Sequence, residues 1–305
     1  MVDVIVLEND TLSKYFSLPN SNTTVLLLGK NPYNFVSRNS DTLVVTIGDS
    51  WTWGADLTQM LDYNLHIDRM EDDAYRLENV YGGVLSKILG SDFLNLGESG
   101  SGNWHIARKL NELSKISHEL NYKNIIIISV FTDTARDFNS LDDVNIDYRS
   151  WLLDNITKDY KSYDGLLAFI NQQISEKIYN SVQTLDKRYK VYFGTNFVDP
   201  IGYKLLDPYF LNKTWLEIIC QTANIEYKPA QCHMVFPWVI EKFNSLFDFA
   251  PELDRLTWLQ WVNELTNNAN ARAATCRNDA VIFNQLLHPT AKYHKCFAEY
   301  ILDHL

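Results

Sequence analysis

Apolar and polar positions alternate along this chain in two distinct rhythms. "TLVVTIG" (42–48), "DFLNLG" (92–97), "NIIIISVF" (124–131) and "YKVYFGTN" (189–196) are short, dense apolar runs of strand length. Between them lie longer stretches with apolar residues three and four apart. "EDDAYRLENVYGGVLSKILG" (71–90) carries Tyr81, Val84, Leu85, Ile88 and Leu89 on one face and predicts a helix that stops at Gly90. "NWHIARKLNELSKISHEL" (103–120) sets Ile106, Leu110, Leu113 and Ile116 on one face, and "LLAFINQQISEKIYNSVQTL" (166–185) predicts another helix. The run 124–131 is apolar on both faces, as a central parallel strand requires. Strand–helix–strand–helix order with long crossovers implies a parallel sheet flanked by helices. Functional residues then belong at the carboxyl ends of the strands, on one rim.

The pattern changes at both ends of this unit. Residues 1–41 are mixed, with one strand-like run at "TTVLLLG" (23–29), and predict an extension packed on the edge of the main domain. Residues 201–280 break the alternation and are rich in aromatics, including Trp215, Trp238, Trp258 and Trp261. They predict a helical insertion, placed to cover the rim. Residues 281–305 return to the main domain with a final helix in "HPTAKYHKCFAEYILDHL", Pro289 in its first turn.

Composition narrows the function. The formal net charge is −11 over 305 residues, with no basic stripe, which argues against nucleic acid as a partner. No basic-then-apolar leader opens the chain and no run is long enough to span a bilayer, so the expectation is a cytoplasmic protein, or one without a classical secretory signal. The four cysteines form no close pair and read as free thiols, and the Cys/His spacings match no zinc pattern, so neither a metal nor a cofactor is expected.

Three stretches carry candidate chemistry, each just after a strand or before a helix. "IGDSWTWG" ends a strand in Gly48, Asp49 and Ser50, a turn that can expose a serine hydroxyl. "LNLGESGSGN" (94–103) places flexible glycines between a strand and a helix N-terminus, where backbone N–H groups can meet a ligand. "SVFTDTARDF" (129–138) puts Thr132 and Asp133 after the most apolar strand, and "QLLHPTAKYH" (285–294) puts His288 before the last helix.

In this order the blocks resemble the SGNH hydrolases, the GDSL-type esterases and lipases, over residues 42–200 and 281–305. The resemblance implies a flavodoxin-like three-layer sandwich, Ser50 as nucleophile and His288 as general base. It implies an oxyanion hole from the N–H groups of Ser50 and Gly100, which the Thr132 hydroxyl can join as a donor, with Asp49 and Asp133 as supporting residues. It implies ester substrates, including acetylated sugars and short acyl esters. Two positions depart from the family pattern. Thr132 stands where the family has an oxyanion-donating asparagine, and Gln285 stands where it has the aspartate that orients the histidine. A Ser50–His288 dyad held by a backbone carbonyl, a substitute carboxylate such as Asp279, or a fold kept with little activity all remain open. The competing function is a structural or carbohydrate-binding protein.

Overall fold

The computed structural model describes residues 3–7, 15–17, 24–26, 33–55, 57, 73–134, 137, 163–196, 203–224, 227 and 288–305. Among them a six-stranded sheet runs in the order β1 (Asp3–Leu7), β4 (Tyr33–Ser37), β6 (Asp92–Asn95), β5 (Thr42–Gly48), β7 (Asn124–Phe131), β8 (Tyr189–Thr195). The four strands from β6 to β8 are parallel, as the crossovers require. At the sheet edge the polarity reverses: β4 pairs antiparallel to β6 and β1 antiparallel to β4. The sheet is therefore mixed. The run at 23–29 contributes β3 (Thr24–Leu26), which pairs with β2 (Tyr15–Ser17) in a separate two-stranded sheet.

Among the described residues the α-helices are α1 (Ser50–Trp53), α2 (Asp73–Asn79), α3 (Tyr81–Leu89), α4 (Asn103–Lys115), α5 (Tyr163–Gln183), α6 (Trp215–Ala223) and α7 (Ala291–Leu302). Alternation along the strands sends side chains to opposite faces. Val44, Phe93, Ile126, Ile128 and Val130 meet Leu77, Tyr81, Leu85, Trp215, Ile219, Phe297 and Ile301 in one core. Leu43, Val45, Ile47, Ile125 and Ile127, equally buried, belong to the other face. There α4 lies on β5 and β7 and packs against α5, whose Ile170, Ile174 and Ile178 are buried at helical spacing. This is the expected three-layer arrangement.

Three boundaries differ from the sequence pattern. The single helix predicted at 71–90 is broken at Val80, which is extended at φ −67°, ψ 149°. The break exposes the N–H of Tyr81, which donates to His294 Nδ1 at 3.2 Å. The helix predicted at 103–120 stops at Lys115 and continues only as a short 3₁₀ turn, Ser117–Glu119. Pro289 lies before the last helix rather than in its first turn, because Thr290 is the N-cap of α7. Gly90 ends α3 in the left-handed conformation, φ +61°, as predicted.

Of the aromatic-rich segment 201–280, residues 203–224 and 227 are described. They add a bridge from Phe210 to Phe193 beside β8, then α6, whose Trp215, Ile218 and Ile219 enter the main core. Trp238, Trp258 and Trp261 lie outside the described residues.

Candidate active site

The carboxyl ends of the parallel strands lie side by side, with Gly48 paired to Val130, and Phe131 to Thr195. The candidate residues in the loops that follow are built on this rim.

Ser50 opens α1 directly after β5 and is buried, 5% exposed. Asp49 precedes it as N-cap: its Oδ1 accepts from the Trp51 N–H at 3.0 Å, and its Oδ2 accepts from Asn196 Nδ2 at 2.9 Å. Asp49 thus ties the serine turn to the end of β8, which is why this buried carboxylate is tolerated. The turn has no slack on its inner side. A side chain at Gly48 would bring its Cβ 2.1 Å from Thr52 Oγ1, and one at Gly97 would come 2.4 Å from the Trp53 nitrogen. From behind, the buried Arg76 guanidinium lies 3.7 Å over the Trp53 ring and donates to the Trp53 carbonyl at 2.7 Å. The four-residue helix is held by its neighbours, since a helix this short has no stability of its own.

Gly100 lies in the loop after β6. The Ser101 N–H donates to the Glu98 carbonyl at 3.2 Å, closing a turn over residues 98–101. Gly100 has φ +79° while Ser99 is not among the positive-φ residues, the signature of a type II turn with glycine in its third position. The loop is fastened to the serine strand: the Glu98 N–H and the Ser101 hydroxyl both donate to the Gly48 carbonyl, at 2.9 and 3.1 Å.

Thr132 follows β7. Its backbone is gripped at both ends by the side-chain amide of Asn103, the first residue of α4. Asn103 Nδ2 donates to the Thr132 carbonyl and Asn103 Oδ1 accepts from the Thr132 N–H, each at 2.9 Å. The Thr132 hydroxyl is buried and has no hydrogen-bond partner among the described residues. A buried hydroxyl in that condition costs about 1–3 kcal/mol, and such groups in native proteins call for an explanation. Asp133, also fully buried, stands beside Asp137. Asp137 Oδ1 accepts from the Trp104 N–H at 2.8 Å at the start of α4, while Oδ2 has no partner among the described residues. Burial, then the neighbouring Asp133 charge, push the Asp137 carboxyl up to about 8 against the pull of those helix N–H groups.

His288 is half-buried and lies just before α7. No hydrogen bond joins it to Ser50 among the described residues. α1 and α7 nonetheless share a support. Trp215 makes edge contacts with Trp51, the residue after Ser50, and with His294 on α7, at ring separations of 5.3 and 4.9 Å. Burial, with the neighbouring His288 a lesser electrostatic cause, holds His294 down at about 3, so its ring is neutral and Nδ1 can accept from Tyr81. Asp279 and Gln285 lie outside the described residues.

Several supporting residues carry no signal in the sequence. Asn103 and Asn196 look like ordinary helix-start and loop asparagines, and Asp137 like a solvated turn residue. A groove of about 490 Å³ between α4 and α5, lined by Trp104, Arg108, Lys115 and Lys177 among others, includes none of the candidate residues.

No protein-family model matches this chain, and no curated protein matches it either. Among solved structures the chain resembles hydrolases of the GDSL and SGNH type. One is a member of the lipolytic G-D-S-L family from Veillonella parvula, 11% identical, covering 86% of this chain and 97% of its own, with a TM-score of 0.36. Another is a lipolytic protein of the same family from Desulfitobacterium hafniense, 13% identical over 86% of this chain and 99% of its own, TM-score 0.33. A third is an acetylxylan esterase from Geobacillus stearothermophilus, 12% identical over 87% of this chain and 94% of its own, TM-score 0.33. Folds shared at such identities host many activities.

Proposed function

We propose that this protein is a serine acyl hydrolase that cleaves an ester. The observation that carries the proposal is the placement of Ser50. It opens a helix at the carboxyl end of a central strand, braced by Asp49, with the Gly100 turn bonded to the same Gly48 carbonyl region. Ser50 Oγ attacks the ester carbonyl and His288 takes its proton. The tetrahedral oxyanion is met by the N–H groups of Ser50 and Gly100 and by the Thr132 hydroxyl, which has no competing partner among the described residues. His288 then protonates the leaving alcohol, and water removes the acyl group by the reverse sequence. Acetyl esters, including those on carbohydrates, are the substrates to try first, on the strength of the sequence resemblance.

The second reading is a structural or carbohydrate-binding protein that retains the fold with little catalysis. The replacement of the family residues at Thr132 and Gln285 favours it. A fluorophosphonate probe separates the two. Labelling of the wild-type protein that disappears in Ser50→Ala, together with Ser50-dependent hydrolysis of p-nitrophenyl acetate, is the expected result. A protein that neither labels nor turns over at any pH where it is folded is not an acyl hydrolase of this kind.

A further inference from the structure

The loop that presents the Gly100 N–H has little packing of its own. Ser99 and Gly100 are exposed, and a Cβ added at Gly100 would meet nothing within 4 Å. Yet the direction of that N–H depends on the turn type. In a type II turn the central peptide, here Ser99–Gly100, is flipped relative to a type I turn. The Gly100 N–H therefore changes sides if the turn relaxes, and its conformation has to be fixed from the turn's ends.

The first residue of the turn, Glu98, is fixed twice. Its backbone N–H donates to the Gly48 carbonyl at 2.9 Å. Its side chain, 6% exposed, meets Lys109 Nζ at 2.6 Å, and the Lys109 side chain is only 3% exposed. The same ammonium donates to the Leu96 carbonyl at 3.0 Å, two residues earlier in the loop. Lys109 lies in α4, whose first residue, Asn103, grips Thr132. One rigid helix thus holds both the Gly100 turn and the Thr132 backbone. A buried ion pair is a poor device for stability, because desolvating two charges offsets most of their attraction, and an apolar pair of similar size often serves as well. Burial indeed pulls the Lys109 ammonium downward, against the opposing effect of Glu98.

We infer that Glu98 and Lys109 are positioning residues for the oxyanion hole: their buried pair locks the 98–101 turn so that the Gly100 N–H faces the site beside Ser50. The inference rests on the hydrolase reading above. Neither side chain touches substrate; both act through the turn.

The test is the double variant Glu98→Met, Lys109→Met, which removes both charges of the pair together. Thermal unfolding checks that it folds, and steady-state kinetics on p-nitrophenyl acetate separate kcat from KM. The expected result is a thermal midpoint close to wild type, kcat lower by about tenfold to hundredfold, and KM within about twofold. That loss is smaller than the roughly 10²–10³-fold seen when an oxyanion donor is removed outright. The single variant Lys109→Met, which takes the ammonium away from the buried Glu98 carboxyl, is expected to lose stability as well as kcat. A folded double variant with wild-type kcat overturns the inference while Ser50-dependent turnover stands. A wild-type protein with no Ser50-dependent turnover removes the hydrolase reading, and this inference with it. A kcat loss matched by an equal loss of folded protein assigns the pair a purely structural role and also overturns it.

Discussion

Replacing Asp137 by asparagine is expected to stabilise the protein at neutral and alkaline pH and to change little in acid. Asp137 is fully buried, with one oxygen on the Trp104 N–H and the other without a partner among the described residues. Its carboxyl is held at about 8, against an ordinary value of 3.8. Burial is the larger cause and the Asp133 charge adds to it. The opposing pull of a helix N-terminus is worth about 0.3–1 kcal/mol, up to about 2 in buried settings, so burial wins. A carboxyl raised on folding contributes its full stability below 3.8, where both states are protonated. That stability is lost as the pH climbs from 3.8 to about 8, because the unfolded chain gives up its proton first. The loss is about 1.4 kcal/mol per pH unit. By neutral pH it amounts to about 4 kcal/mol, an upper value because denatured chains keep some structure.

Asparagine has the same shape, keeps an oxygen for the Trp104 N–H, and does not titrate. The Asp137→Asn gain should therefore grow with pH. Urea unfolding followed by tryptophan fluorescence, on both proteins at about pH 4.5 and about pH 8, measures it directly. The expected result is a difference below about 1 kcal/mol at the acid end and of several kcal/mol at the alkaline end. A gain of equal size at both pH values, or a loss at both, would show that Asp137 is ionised in the folded protein. The account of this buried carboxyl pair would then be wrong.

Thr132→Val deletes a hydroxyl that has no partner among the described residues while keeping the shape of the side chain. The thermal midpoint should hold or rise, and kcat should fall by about 10²-fold if the hydroxyl meets the oxyanion; an unchanged kcat removes Thr132 from the oxyanion hole. Gln285→Asp restores an acid three residues before His288. It should raise kcat by at least about tenfold, given the roughly 10⁴-fold cost of an amide at the equivalent place in a serine protease triad; no change would mean that something else already orients the imidazole.

The central sheet was legible because β5 and β7 are dense apolar runs bounded by turn residues, with amphipathic helices between them. Only burial on both faces makes such a run affordable. The antiparallel edge was not legible. Nothing local in "YNFVS" distinguishes a strand that continues the sheet from one that reverses it, since polarity is set by where the chain enters and not by side-chain pattern. The break at Val80 was hidden for a related reason. The 3.6-residue period runs through it undisturbed, and what stabilises the break is an imidazole 213 residues away in the chain.

The same division runs through the site. Ser50, Asp49 and Gly100 announce themselves because turn geometry demands particular residue types within a few positions, and a serine at a strand's end or a glycine at positive φ is a local event. The groups that hold them are not local. Asn103 reaches Thr132 across 29 residues, Trp104 reaches Asp137 across 33, and Asp49 is reached by Asn196 across 147. Lys109 follows Arg108 in a helix of mixed polarity, and the letters alone do not say which of the two is sealed against Glu98. The two kinds of residue also answer to different forces. A turn residue is chosen by the backbone torsions it must adopt. A buried charge or amide is tolerated only where the completed fold brings it a partner, and its identity acquires meaning at the moment the sheet closes around it. That is why the candidate residues of the proposed site could be picked out from the sequence, while the groups packed around them, Glu98 and Lys109 above all, emerge only when α4 is seen lying on β5 and β7.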